Sequence, residues 1–310
     1  MKKICVIGSF NIDMFGGVDS FPAVGETVFT TSFDLFVGGG KGANQAVALG
    51  RLGADVRMVG MLGDRFYGPE YLDVLRTNGV QSDTVEVVPG MFPGAAFVAV
   101  DKKGDNILFV HSGANLLVSV DFIQRHWERI AACDIFLLQL EIPFATNLHA
   151  ARELKRLGKT VILDPAPARR YTDEIFPFVD FATPNEVELT QLAGMEVDRE
   201  DSIARAAGTL LDRGVKTVIA KLGKRGAYIV TPGGLTHVPA YAVEAVDPTA
   251  AGDSFNAGFA LALAEGRGLQ ESVEFANAVA GLSTTSMGAQ SAMPTRDQVG
   301  EFLKTARRRA

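Results

Sequence analysis

Buried strands that alternate with helices leave a chain few ways to fold, and from Val56 onward this chain alternates in that way. Short apolar runs predict strands at 56–61, 135–140, 160–163, 178–182, 217–220 and 227–230, with helical periodicity at 68–78, 120–131, 143–157, 186–193 and 201–213. Strands that read as continuously apolar are buried on both faces. The pattern therefore predicts an α/β fold, a mostly parallel central sheet covered by helices on both sides. Ile4–Ile7, ended by Gly8, reads as the first strand of that sheet. A chain of 310 residues holds either one large α/β domain with an appendage or two ordinary domains.

Open α/β sheets bind ligands beyond the C-terminal ends of their strands. Polar residues fall there repeatedly: Asn11 and Asp13 after the first strand, then Glu141, Asp164, Asn185, Lys221 and Gly223. Asn11 and Asp13 suit a polyol, although Asn and Asp are also ordinary turn formers. Glu141 before Pro143 equally fits a helix N-terminal carboxylate. Asn185 and Glu188, one turn apart at a helix start, form an oxygen-rich pair that suits hydrated Mg²⁺, and equally a capping box.

The most informative stretch is Asp247-Pro248-Thr249-Ala250-Ala251-Gly252-Asp253-Ser254-Phe255-Asn256. Pro248 keeps Asp247 out of helical angles, and from Gly252 onward Phe255 and Phe259 recur at helical spacing. The small residues Ala250, Ala251 and Gly252 leave first-turn N–H groups uncovered for an anion such as phosphate. Asp253, at the rim, would take a proton from a hydroxyl attacking that phosphate. The plainer reading is a helix start with an acidic first turn.

Gly38-Gly39-Gly40-Lys41-Gly42-Ala43-Asn44-Gln45-Ala46 leads into another helix, and its glycines allow close approach of backbone to a ligand. Gly38-x-Gly40-x-x-Ala43 matches a loose dinucleotide fingerprint, yet it does not follow the first strand directly, which argues against a nicotinamide site. Gly158-Lys159-Thr160 ends like a P-loop, but Glu153 stands where the opening glycine belongs. The four histidines, His111, His126, His149 and His237, have no metal spacing, and no glycine-flanked serine elbow is present for a hydrolase triad.

Segments outside the alternation have a different character. Residues 14–37 carry Gly16, Gly17, Pro22 and Gly25 with β-rich pieces at 27–31 and 33–37; a second pair lies at 94–100 and 106–111 around the turn Asp101-Lys102-Lys103-Gly104-Asp105. Together they predict a small four-stranded β lid, or else an edge extension of the main sheet. The net charge of -6 with scattered Lys and Arg argues against nucleic acid, and the run Arg307-Arg308-Arg309 reads as a solvated tail. Cys5 and Cys133 sit in apolar runs at no redox or metal spacing, as reduced core residues suited to a cytoplasm. The N-terminal apolar run is too short for a signal peptide or membrane span.

The glycine-rich stretch at 38–46 and the stretch at 247–256 resemble the two signatures of the ribokinase-like (PfkB) carbohydrate kinases. Leu138-Gln139-Leu140-Glu141, Asp164-Pro165-Ala166-Pro167-Ala168, Thr183-Pro184-Asn185-Glu186 and Gly288-Ala289-Gln290 extend the resemblance in family order, almost end to end. The resemblance implies one ribokinase-like domain over 1–310, with a lid formed by about 14–37 and 94–111. It implies an ATP-dependent sugar kinase, a phosphotransferase with an alcohol group of the sugar as acceptor, using Mg²⁺ and a monovalent cation, usually K⁺. D-ribose phosphorylated at O5 is the first expectation. A family kinase for 2-deoxyribose, another sugar or a nucleoside is the alternative, and a non-catalytic sugar-binding regulator stands beyond it.

By resemblance, Asn11, Asp13, Gly39, Gly40, Lys41, Asn44 and Glu141 bind the sugar, Asp253 is the base, and Ala250, Ala251 and Gly252 form an anion hole. Asn185 and Glu188 hold Mg²⁺ through water. Nucleotide lies along Lys221, Gly223 and Gly226 and against Asn277. The monovalent cation falls to Asp247, Thr249, Ser283, Ser286, Gly288 and Ala292. Three residues depart from the family pattern: Pro248 and Lys221 each stand where Thr is common, and Asn277 where an adenine-side His is frequent. The resemblance also implies a homodimer joined through the lids, which would cover Phe33, Phe36, Phe97 and Phe109.

Overall fold

The computed structural model describes residues 1–168 and 173–308. Its strands, in chain order, are β1 (Ile4–Ile7), β2 (Asn11–Gly17), β3 (Ser32–Gly39), β4 (Val56–Gly63), β5 (Gln81–Val88), β6 (Gly94–Val100), β7 (Asn106–His111), β8 (Ile135–Gln139), β9 (Thr160–Asp164), β10 (Phe181–Ala182), β11 (Thr217–Lys221), β12 (Ala227–Thr231) and β13 (Gly234–Val238). Among the described residues, nine strands make one sheet in the order β13-β12-β11-β10-β9-β8-β1-β4-β5, and four make a second in the order β3-β2-β6-β7.

In the large sheet every pair from β5 to β11 is parallel, and the two antiparallel pairs, β11 with β12 and β12 with β13, lie at one edge. Alternation along β1 shows why both faces are covered. Ile4 and Val6 join the core on one side, with Phe255 and Phe259 of the Ala251–Ala264 helix; Cys5 and Ile7 join the other, with Phe136. Each large side chain so buried contributes about 1.5–3 kcal/mol. Both cysteines are free and buried. From β1 the chain steps to β4 and β5 on one side, then returns to β8 and β9 on the other. That reversal opens a crevice at the C-terminal ends of β1 and β8.

Several segments differ from the sequence-based expectation. Asn11 and Asp13 lie not in a loop past β1 but in β2, which the small sheet places between β3 and β6, whereas 27–31 forms no strand. Gly16 and Gly17 pair with Phe33 and Ser32 of β3 in an antiparallel ladder, and a Cβ on Gly17 would stand 2.6 Å from the Ser32 hydroxyl. β5 and β13 escape the apolar-run criterion because they are edge strands with polar, half-exposed residues. Phe178 belongs to a 3₁₀ turn, Asp173–Phe178, rather than to β10. The 120–131 helix breaks at His126, whose ring Nε2 meets Glu86 at 2.9 Å. Arg308 is no free tail residue, since it pairs with Glu274 at 2.7 Å; Arg309 lies outside the described residues. No helix among the described residues is long and apolar enough to cross a membrane.

Candidate active site

The C-terminal ends of the parallel strands and the edge of the small four-stranded sheet converge on one crevice. Glu141 follows β8 and accepts hydrogen bonds from Ser9 and from the backbone N–H of Lys41 at 2.9 Å. These bonds hold the start of the Lys41–Arg51 helix against the end of β1. Gly40 has φ 82°, and a Cβ there would stand 2.7 Å from the Asn11 nitrogen, so only glycine lets β3 turn into that helix beside β2. A Cβ on Gly39 would overlap the Asp13 carboxylate. The glycines thus bring backbone directly beneath Asn11 and Asp13.

Asn11 is buried, and its side-chain oxygen accepts from Asn115 Nδ2 at 3.0 Å. Burial, with the Glu141 and Asp253 carboxylates nearby, pushes Asp13 up to about 7. Lys41 is half-buried; desolvation alone would lower its pKa, but Asp253, Asp164, Glu141 and Glu188 together hold it above the ordinary lysine value. Lys41 and the carboxylates around it are therefore a mixed-charge set gathered around one ammonium.

Asp253 is not on a rim. It is 4% exposed, in the first turn of the Ala251–Ala264 helix, and its two oxygens accept from Asn44 Nδ2 at 3.0 Å and Gln45 Nε2 at 3.1 Å. Burial raises its pKa to about 6, with Lys41 opposing the rise and Asp164 adding to it. A carboxylate so tuned is ionised at neutral pH yet basic enough to take a proton. Ala250 takes a left-handed φ of 57° at the helix start. Ala251 donates to the Pro248 carbonyl at 3.1 Å, so it is not an uncovered donor as expected. Among the described residues the N–H groups of Ala250, Gly252 and Asp253 have no acceptor, which leaves this helix start with donors free for an anion.

Asn185 and Glu188 form a capping box: Glu188 N donates to Asn185 Oδ1, and Asn185 N to Glu188 Oε2, each at 2.8 Å. Burial, followed by the Asp164 charge, raises the Glu188 pKa. Both residues line a cavity of about 480 Å³ with Lys41, Lys221, Asp253 and Asn277, and Gly223, Gly226 and Gly252 border it too. That volume is in the range of small-molecule sites. Asn277 Nδ2 is tied to the Val238 carbonyl at 3.0 Å. Lys221 Nζ pairs with Asp164 at 3.1 Å.

Asp247 joins two loops. Its carboxylate accepts from the Thr249 hydroxyl at 2.6 Å, from Gly288 N at 2.8 Å and from Thr249 N at 2.9 Å, bonds that hold its pKa low against the opposing effect of burial. Of the other expected cation residues, Ser283 ends the Leu269–Ser283 helix with its hydroxyl on the Ala280 carbonyl, Ser286 is exposed in the next loop, and Ala292 closes a 3₁₀ turn.

Geometry of this kind has relatives. The model for pfkB family carbohydrate kinases matches residues 1–296. The chain belongs to the pfkB family. It is 38% identical to a ribokinase of Haemophilus influenzae over 305 residues, covering 98% of this chain and 99% of that protein. A Bacillus subtilis ribokinase is 40% identical over 303 residues, covering 98% and 100%. Among solved structures, Arabidopsis thaliana ribokinase complexed with ribose and ATP superposes with a TM-score of 0.88 at 33% identity, covering 98% and 99% of the two chains.

Four residues of this pfkB-family site carry no separate signal in the sequence. Asn115 is buried and bridges Phe10 and Asn11. Gln45 Nε2 donates to both Asp164 and Asp253 at 3.1 Å. Gln290 Nε2 donates to Asn44 Oδ1 and to the Tyr71 hydroxyl at 3.0 Å, and Tyr71 in turn bonds Gly39. Gln45 and Gln290 stand inside motifs that the sequence marks, but nothing local distinguishes them from helix and loop polars.

Proposed function

We propose that this chain transfers the γ-phosphoryl group of ATP to the O5 hydroxyl of D-ribose, giving ribose 5-phosphate. The observation that carries it is Asp253, buried and held by Asn44 and Gln45 beside the unpaired N–H groups of Gly252 and Asp253. Family membership and the ribokinase names of the relatives support the sugar. Asn11, Asp13, Gly39, Gly40, Lys41, Asn44 and Glu141 are the proposed sugar contacts. Asp253 takes the hydroxyl proton as the oxygen attacks, and the helix start receives charge on the transferred group. The lid closes over the sugar and excludes water, which would otherwise accept the phosphoryl group.

The donor set fits Mg²⁺ held through water: one buried carboxylate, Glu188, beside a cavity for phosphates, where Mg²⁺ keeps most of its waters. When bound, Mg²⁺ neutralises charge on the phosphates. The Asp247 carboxylate, with hydroxyl and backbone oxygens around it, fits K⁺ beside the helix start. Nucleotide lies along Lys221, Gly223 and Gly226 and against Asn277.

We also propose a C2 homodimer through the lids. The ladders put Phe33, Phe97 and Phe109 on the lid face opposite Asp13, at 61%, 46% and 66% exposure. Phe36 belongs to the other face and packs on Phe15, so it needs no partner. The buried free cysteines are in keeping with a cytoplasmic protein. Assaying a panel of ribose, 2-deoxyribose, fructose and nucleosides with ATP and Mg²⁺ tests the activity. Ribose should give the highest kcat/KM; a nucleoside preference or no turnover refutes it.

A further inference from the structure

Lys221 is a charged side chain in an unusual position. It ends β11, its side chain is 12% exposed, and its Nζ lies 3.1 Å from Asp164 Oδ1, whose side chain is 3% exposed. A buried ion pair is poor evidence of stabilisation, because desolvation offsets most of its attraction. Stability therefore gives little reason for this pair. Its location gives a better one: a Cβ built on Gly252 would stand 3.4 Å from the Lys221 Nζ, so the ammonium lies over the helix start itself.

An ammonium has three donors, and among the described residues Asp164 is the only acceptor for this one. The cavity that Lys221 lines also holds Gly252 and Asp253. Asp164 is held in turn: its other oxygen accepts from Gln45 Nε2, the same group that donates to Asp253. A chain of contacts thus runs from the base, through Gln45 and Asp164, to the ammonium. It fixes the cation and the base on opposite sides of one amide.

Resting on the kinase reading, we propose that Lys221 is a catalytic residue that contacts the transferred phosphoryl oxygens, and that Asp164 is the positioning residue that holds its ammonium over the Gly252 turn. In the transfer, the sugar oxygen forms its bond to the γ-phosphorus as the bond to the bridging oxygen of ATP breaks. The electron pair of that bond leaves on ADP, and the hydroxyl proton passes to Asp253. Charge stays on the three oxygens of the moving group throughout, and a fixed ammonium stabilises it without reorganisation.

The test uses the full chain with ATP, Mg²⁺ and ribose, and compares Lys221→Met, Lys221→Arg, Asp164→Asn and the double variant K221M/D164N. Removing one such donor costs on the order of 10²-fold in kcat. Lys221→Met and the double variant should both lose about that much, with ribose KM within about threefold, while Lys221→Arg recovers most of the rate. The double variant decides the matter. It removes both charges and leaves an amide oxygen at position 164 for Gln45, so near-wild-type turnover would mean that Lys221 only neutralises Asp164, and would overturn the proposal. A measurement without substitution guards against misfolding: acylation of Lys221, followed by mass spectrometry, should be blocked by Mg·ATP and not by AMP. Equal labelling with the two nucleotides overturns it as well. Absence of turnover in the unmodified chain would refute the kinase reading instead, and the labelling result would still bear on Lys221.

Discussion

Asp253→Asn separates chemistry from folding, because its effects on stability nearly cancel. The carboxyl has a folded-state pKa of about 6 against an unfolded value near 4. The native state therefore binds its proton more tightly, loses stability as pH rises from about 4 through about 6, and keeps that deficit above. Two pH units correspond to roughly 3 kcal/mol, a penalty the neutral amide removes. Against this gain, the Asn side chain offers one oxygen where Asp253 offers two. Its NH₂ would face the NH₂ of either Asn44 or Gln45, and Asn44 is kept from flipping by the Gln290 bond to its oxygen. An unsatisfied buried donor costs about 1–3 kcal/mol. At pH 7.5 the variant should melt within a few degrees of the parent chain and bind ribose comparably by calorimetry. Turnover should fall by about 10² to 10⁴-fold, or about 3–5 kcal/mol of barrier. In the parent chain kcat/KM should fall tenfold per pH unit below about pH 6, as the Asp253 carboxylate protonates. A variant that folds and retains more than a tenth of the parent kcat refutes Asp253 as the base.

The remaining predictions concern the cation loop and the assembly. Asp247 ties Gly288 to the loop that enters the Ala251–Ala264 helix, so exchanging K⁺ for Na⁺ or Cs⁺ at constant ionic strength should change the rate; equal rates in all three salts remove the monovalent site. Light scattering at micromolar concentration should give the mass of two chains, and Phe97→Glu or Phe109→Glu should shift it toward one; a monomeric parent chain rules out the lid dimer.

Local pattern carried the architecture because apolar runs and helical periods are properties of neighbouring residues. Ile4–Ile7, the inner strands of the parallel sheet, the glycine-rich turn at 38–42 and the helix start near Gly252 were all legible that way, as was the fall of polar residues at the strands' C-terminal ends. Edge strands β5 and β13 were not, since half-exposed strands lose the apolar signature. What tertiary structure alone decided was partnership. Asn44 meets Asp253 across 209 residues, Gln290 meets Asn44 across 246, Asn115 meets Asn11 across 104, and Lys221 meets Asp164 across 57. A polar side chain reads the same in sequence whether it faces water or a buried carboxylate. Asn185 and Glu188 show the converse: three residues apart, their capping bonds were foreseeable from spacing. The raised pKa of Asp253 belongs to the folded chain only, because burial and the charges of Lys41 and Asp164 act on it through space once the strand ends have been brought together.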